Sequence, residues 1–480
     1  MPKNTDLVAP LTLRKPRFGG KTTLAMALPA MVAASYGWSQ EDDVIALDTL
    51  QIEERTVDTN PYAEKGAPYK AKVSGDARHV KPLAETPQTI SVLTQTQIEE
   101  SGDTDLRDVL AAQPGITLGT GENGNAFGDR YVIRGHEARS DVFIDSLRDP
   151  GMTSRESFAV EQIEISKGPS STFAGRGSSG GAVNSITKQA STEYDFTKIQ
   201  AGLGTDDFQR YSLDANQRIN DDVALRANIL YANKDIPDRS PANEERTGVA
   251  LSAAWQSTDK LKLVGDYYYL DANDKPDLGS YINRTTGQPD DDIPVYLQDE
   301  DFLNSTVNVF TLRGDYSFDS GMSLTNAARY GTTENGYVVT GAGSSVRDAT
   351  DTEAPGEATL TASTHQGWQE VDYFINMTGL HFDADIANMK HQFVLGLEYS
   401  DINVTNGAYS VTNTGATNCI VAGRRGVAPG YCLTDGDGNT VQGINNLLGR
   451  EITKGAMDSD YSVETISLSF MDTIDITDKV

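Results

Sequence analysis

Few residues in this chain have the type and spacing needed for covalent chemistry. Its two cysteines, Cys419 and Cys432, lie close together in a Gly-rich stretch poor in strand formers. They match no zinc spacing, so a loop-closing disulfide is expected if the chain is exported to where disulfides persist. His79, His136, His365, His381 and His391 are scattered, and each reads as a surface or hydrogen-bonded side chain rather than a ligand. Gly20-Lys21-Thr22 resembles the end of a phosphate-binding loop, but Lys15 stands where the first glycine should be and no strand precedes it. No nucleophile is paired with a base. The chain therefore reads as a non-enzyme, with no catalytic residue, no metal site and no cofactor.

Charge and export signals narrow the class. The 480 residues carry a formal net charge of -29, so no basic stripe could neutralise phosphates and nucleic acid is excluded as a partner. Arg14, Lys15 and Arg17 precede a small-residue apolar stretch from Leu24 to Ala34, followed by polar and acidic residues. That order predicts a secretory signal peptide over residues 1–35 rather than a short buried helix. Beyond residue 35 no apolar run reaches the ~18 residues of a spanning helix, so any membrane contact must use strands.

The elements that would position any site fall into three parts. Residues 36–80 are polar and interrupted by Pro61, Gly66, Pro68 and Gly75, which predicts a flexible segment. Residues 81–190 predict a small mixed α+β unit, with one helix over Thr104–Ala112 capped by Asp103 and stopped by Pro114-Gly115. Its strand candidates are Thr89–Leu93, Arg130–Ile133, Asp141–Ile144, Gln162–Ser166 and Ala182–Thr187. Over residues 191–480 a period-two alternation takes over, as in Val223/Leu225/Ala227/Ile229/Tyr231 and Val249/Leu251/Ala253/Trp255. After a hairpin at Thr205–Asp207, short turns at Asn220–Asp222, Thr258–Lys260, Asp319–Gly321 and Asp385–Asn388 alternate with long polar loops near 234–245, 272–305, 332–369 and 402–461. That asymmetry predicts a transmembrane antiparallel β-barrel, because a soluble sandwich has no reason to lengthen every second loop. About ten strands are expected here against ~22 in a plugged transporter, so the chain reads as the N-terminal part of a barrel, without a terminal aromatic strand end.

Residues 82–188 resemble the plug of TonB-dependent siderophore receptors. The resemblance is carried by an ordered series: Glu85-Thr86-Pro87-Gln88-Thr89-Ile90-Ser91-Val92, Asp105-Leu106-Arg107-Asp108-Val109-Leu110, Gln113-Pro114-Gly115-Ile116, Ile133-Arg134-Gly135-His136, Phe143-Ile144-Asp145-Ser146-Leu147-Arg148-Asp149, the run from Val160 to Ser171, and Gly175-Arg176-Gly177-Ser178-Ser179-Gly180-Gly181-Ala182-Val183-Asn184. Each motif alone is weak; the series over roughly a hundred residues is specific. It implies a plug over 81–190 inside the barrel lumen. It also gives Asp48-Thr49-Leu50-Gln51-Ile52 a role as a TonB box, an extended segment that pairs its main chain with an edge of TonB. Arg134, Arg176, Glu161 and Glu164 become candidates for plug-to-barrel ion pairs.

The resemblance implies import of a ferric siderophore across the outer membrane of a Gram-negative bacterium, most similar to receptors for the catecholate type. TonB of the TonB-ExbB-ExbD complex would supply the force, and lipid and lipopolysaccharide would surround the barrel. Plug loops over 118–129 and 148–158 would face outward. An anionic aromatic cargo calls for guanidinium charge and aromatic faces, which nominates Phe127, Arg148, Arg155 and Phe158. The iron is carried within the siderophore, so no cofactor is needed. A hydroxamate siderophore, a cobalamin or a phenolic compound is the alternative cargo, and a passive porin-like barrel is the rival class.

Overall fold

The computed structural model describes residues 60–476 except 65, 120–130, 139–140, 152, 170–177, 281, 283–286, 290–294, 347–357, 416–430, 432 and 434–439. The predicted signal peptide, the segment Asp48–Ile52, Phe127, Arg176, Cys419 and Cys432 lie outside the described residues.

The first ten strands are short: β1 (Ala63–Glu64), β2 (Ala67–Ala71), β3 (Ile90–Thr94), β4 (Ile116–Leu118), β5 (Tyr131–Ile133), β6 (His136–Glu137), β7 (Val142–Ile144), β8 (Leu147–Arg148), β9 (Val160–Lys167) and β10 (Gly181–Thr187). They form a β1-β2 hairpin, a β4-β5-β6 sheet and a five-stranded sheet in the order β3-β9-β10-β7-β8. The pairing of β10 with β7 is parallel and that of β10 with β9 is antiparallel. Apolar residues of this unit, including Leu110, Tyr131, Ile133, Val142, Ile163, Ile165 and Val183, are buried together in one core.

Two helices, rather than the single one expected, pack on that core: α1 (Gln95–Ser101) and α2 (Leu106–Ala111). A capping box starts α1, with the Thr94 hydroxyl and the Gln97 side chain satisfying each other's backbone, and Gly102 ends it in the left-handed conformation. For α2 the cap is Asp105, not Asp103: its carboxylate accepts from Arg107 N at 2.7 Å. The segment expected to be flexible is also corrected over residues 60–80, where the β1-β2 hairpin is followed by a docked stretch, Ser74–Arg78. Ser74 Oγ and Gly75 N both donate to the Glu164 carboxylate, and the Gly75 backbone lies against Ile186, leaving no room for a Cβ.

Ten longer strands then pair in simple sequential order: β11 (Phe196–Leu203), β12 (Gln209–Arg218), β13 (Val223–Asp235), β14 (Asn243–Thr258), β15 (Leu261–Lys275), β16 (Phe302–Ser317), β17 (Ser323–Val346), β18 (Ala358–Ile386), β19 (Met389–Asn413) and β20 (Arg450–Asp475). All neighbours are antiparallel. The two-residue turn Ala387-Asn388 has both residues at positive φ, the conformation whose twist matches flanking strands. The long connections are shorter than expected, because β17 to β20 run on through residues read as loop from 332 to 369 and from 402 to 461. A continuous ladder satisfies the backbone of polar Thr, Ser and Asn residues as well as that of apolar ones, so hydrophobic alternation marks only the part of a strand beside an apolar medium.

The polarity of this wall is inverted relative to a soluble sheet. Along β13, Leu225, Ile229 and Tyr231 are exposed while Arg226 and Asn228 are buried; along β16, Phe310 and Leu312 are exposed while Thr311 is buried. Leu468 on β20 is 83% exposed and Arg226 only 2%. Such a sheet suits an apolar medium outside and a polar filling inside.

Backbone approach within the plug is very close at Gly180, where an added Cβ would stand 2.1 Å from the carbonyl oxygen of Ile133. The obstacle is backbone, which no rotamer relieves. Gly180→Ala should therefore destabilise this unit by about 1–3 kcal/mol, read as a lowered denaturation midpoint of the complete gene product in detergent.

Candidate functional site: the plug–wall interface

The polar filling is the plug unit, and wall arginines meet its charges at four places, with Lys81–Asp475 and Glu99–Lys198 as further, more exposed pairs. Arg226 on β13 donates to Asp214 of β12 through two bonds of 2.9 Å and pairs with Glu161 of β9 at 3.1 Å. Lys188, just past β10, joins the same cluster through Asp214 at 3.1 Å. At the two-residue turn between β7 and β8, Asp145 meets two wall guanidiniums, Arg313 of β16 and Arg329 of β17. The positive φ of Asp145 and Ser146 projects that carboxylate, and Thr187 steadies it with backbone and hydroxyl donors at 2.8 Å. Glu156 binds Arg210 of β12 through both carboxylate oxygens. Asp105 stands 3.7 Å from Arg246 of β14.

The segment after β8 is braced from within and pressed onto the wall. Arg155 is buried and donates to Asp149 at 2.8 Å, to the Thr153 carbonyl at 3.0 Å and to the Gly151 carbonyl at 2.7 Å. Phe158 packs with Leu230, Leu270, Val307 and Val309 of the wall and stacks on Tyr268 with ring centroids 5.8 Å apart. Gly248 makes room for its ring, since a Cβ there would lie 2.6 Å from Phe158 Cζ. Leu147 enters a second patch with Val371, Tyr373, Ile375, Ile402 and Val404.

Between plug and wall, toward the short turns, lies a cavity of about 600 Å³. Tyr62, Asp76, Arg78, Asp145, Arg148 and Gln189 line its plug side, and Arg313, Asp315, Asn326, His381 and Glu398 its wall side. Burial would push the Asp76 carboxyl up, but Arg78, bound at 2.7 Å, overrides it and holds it below the usual carboxylate range. Burial raises the Glu164 carboxyl despite the donors from Ser74, Gly75 and Gln162. The geometry offers paired charges and a cavity lined by polar residues, and among the described residues no group of three or more ligating side chains could hold a metal ion.

Comparison with known proteins decides what this arrangement is. Residues 82–182 match the family described as TonB-dependent Receptor Plug Domain. The chain carries the plug domain of the TonB-dependent receptors. Over 423 residues it is 30% identical to the Probable TonB-dependent siderophore receptor PiuA of Acinetobacter baumannii, covering 85% of this chain and 55% of that protein. It is 28% identical to the Catecholate siderophore receptor Fiu of Escherichia coli O157:H7, over 83% of this chain and 52% of that protein. The crystal structure of the siderophore receptor PiuA from Acinetobacter baumannii superposes with a TM-score of 0.73 at 29% identity, covering 85% of this chain and 58% of that one. The chain thus spans about half the length of the curated relatives it matches.

Within the receptor plug, the residues nominated from sequence have different surroundings. Glu161 contacts the wall through Arg226. Glu164 does not: its carboxylate is spent on Ser74, Gly75 and Gln162 inside the plug. Arg134 sits at positive φ in the exposed β5–β6 turn and has no ion-pair partner among the described residues. Of the nominated ligand contacts, Arg155 is a loop brace and Phe158 a wall-packing residue, because both are buried with their functional faces already occupied. Arg148 turns toward the short-turn cavity, with its guanidinium 4.8 Å from the Phe143 ring centroid and 3.5 Å from Asp141.

Sequence reasoning missed Asp145, Glu156, Asp105 and Lys188 as plug-side partners, and every wall arginine. A signal was present: Arg226, Arg246, Arg313 and Arg329 interrupt or flank alternating strands on the polar face, where a buried cation requires an anion. Removing one partner of such a pair leaves an uncompensated buried charge, at about 3–5 kcal/mol. Glu161→Gln and Arg226→Leu should each destabilise plug docking by that order, and the double variant should cost less than the sum. A double-mutant cycle by denaturation of the complete gene product in detergent measures this; additive losses would mean that the two side chains do not interact.

Proposed function

We propose that this protein imports a ferric siderophore, of the catecholate type, across the outer membrane of a Gram-negative bacterium by TonB-dependent active transport. The observation that carries the reading is a TonB-dependent receptor plug domain held by buried ion pairs against a strand wall whose other face is apolar. Exposed Leu225, Ile229, Leu251, Trp255, Phe310, Leu312, Leu395 and Phe470 would face lipid and lipopolysaccharide. A passive pore gains nothing from a filled lumen, whereas a pulled receptor needs one. The catecholate assignment rests on the resemblance to a catecholate siderophore receptor over most of this chain. The protein makes and breaks no bond in its cargo, and the iron travels inside the siderophore.

Force would enter through Asp48–Ile52, pairing as an added strand with TonB of the TonB-ExbB-ExbD complex. Downstream of that box in sequence, Tyr62 and Gly75 to Arg78 line the cavity on the short-turn side. Phe127 remains the outward-loop candidate for stacking on cargo, and a Cys419–Cys432 disulfide would brace an outer loop.

The test is uptake of radiolabelled iron, offered as catecholate or hydroxamate complexes, by iron-starved cells expressing the complete gene product. Wild type should import the catecholate complex, and Ile52→Pro, which removes a main-chain donor, should bind that complex without importing it. Unchanged uptake in the variant would overturn TonB coupling through this box, and uptake of the hydroxamate complex alone would overturn the catecholate assignment.

A further inference from the structure

Above the membrane-facing band the wall changes character. Pairing of β16 with β17 ends at Phe302 and Val338, and pairing of β18 with β19 begins only at Trp368. Among the described residues, the outer part of the β17-β18 hairpin, from Val339 to Val346 and from Ala358 to Gly367, is therefore flanked by no strand on either side. Unpaired strand edges invite pairing with other chains unless they are covered.

Both edges are covered, by connections far apart in sequence. On one side the Asp301 carboxylate accepts from Thr340 N at 2.9 Å, and it also accepts from Gln298 N at 3.0 Å. On the other side Ala362 N donates to the Tyr431 carbonyl at 3.2 Å, and Arg450 donates to the Thr364 hydroxyl at 2.9 Å. The two covers are joined to each other. Arg450 and Asp301, separated by 149 residues, form an ion pair whose side chains are both 0% exposed. Gln298 donates to the Ile444 carbonyl at 2.7 Å and accepts from Leu448 N at 2.9 Å. Asn445 donates to the Leu297 carbonyl at 2.7 Å, and Asp299 N to the Asn445 carbonyl at 2.8 Å. Leu433, fully buried, packs with Tyr296, Ala342, Ala362, Ile444 and Leu447 beneath these bonds.

We infer that residues 295–301, which lead into β16, and residues 440–450, which lead into β20, form one prebuilt cap on the β17-β18 hairpin, with Asp301 and Arg450 as its keystone. The physical case is cooperativity. A fully buried ion pair is tolerated only while both partners and their hydrogen bonds are in place, so neither connection can leave without stranding a charge in the other. The cap is thus ordered before any cargo arrives, and the ordering entropy of these two segments is met by folding rather than by binding. Residues 295–301 and 440–450 act as a rigid collar that cargo passes, not as segments that fold over it. This goes beyond the import reading and does not depend on the cargo's identity.

Amide hydrogen exchange on the cargo-free complete gene product in detergent tests the cap. Segments 295–301 and 440–450 should both be protected in wild type. Arg450→Ala should raise exchange in both segments together, by tenfold or more, with plug strands β9 and β10 unchanged as the folding control. Gln298→Met, a milder change that keeps the ion pair, should raise exchange in both by a smaller factor. Free exchange of either segment in wild type would overturn the proposal. So would loss of protection confined to 440–450 in Arg450→Ala while 295–301 stays protected. If Arg450→Ala also deprotects β9 and β10, Gln298→Met decides: joint deprotection supports the cap, and deprotection of 440–450 alone overturns it.

Discussion

A cation taken out of water must be met by an anion, and this one constraint organises the molecule. The wall turns its apolar side chains outward and so carries arginines inward, where Arg226, Arg246, Arg313 and Arg329 are nearly or largely buried. Neighbouring strands supply part of the answer, as Asp214 does for Arg226 and Asp274 for Arg246. The plug supplies the rest, with Glu161, Asp145 and Asp105 placed by a central strand, a left-handed turn and a helix cap. Such pairs add little net stability over a hydrophobic filling. They do tie the plug's position to the wall's register, and they can separate again when water enters, which a greasy interface would resist.

The two kinds of contact divide the labour along the interface. Apolar contacts at Phe158 and Leu147 set how closely plug and wall approach, while the ion pairs fix orientation. The N-terminal stretch around Ser74–Arg78 is held by a third device, hydrogen bonds to the single Glu164 carboxylate. Its residues Gly75 to Arg78 line the cavity between plug and wall.

Much of this was legible in the sequence. Period-two alternation with polar partners, short turns alternating with longer connections, and about ten strands were all readable, because an apolar medium imposes strict alternation. Plug strands β3, β5, β7, β9 and β10 could be placed to within a residue or two, since each is a short apolar run between turn residues, whereas β1, β2, β4, β6 and β8 were not foreseen. The helix α1 was missed although Thr94 and Gln97 spell its capping box; seven residues carry too little periodicity to compete with the neighbouring strand. The extensions of β17 to β20 were missed because strands that stand in water lose the alternation that betrays them. Which plug acids meet which wall arginines was not legible at all. Glu161 and Glu164 look equivalent in sequence, yet only a three-dimensional register sends one to Arg226 and the other to Ser74 and Gly75.

Whether the plug is seated on the wall in this register, and must leave it for the proposed import, is tested most directly by a disulfide trap. A Cβ at Gly151 would stand 3.4 Å from Thr333 Cβ, close to the ~3.8 Å typical of a disulfide. The pair Gly151→Cys with Thr333→Cys, mapped by mass spectrometry in the complete gene product, should crosslink on oxidation. The oxidised receptor should bind ferric siderophore but import none, and reduction should restore import. Failure of the pair to crosslink would contradict the register, and undiminished import by the crosslinked receptor would contradict the requirement that the plug move.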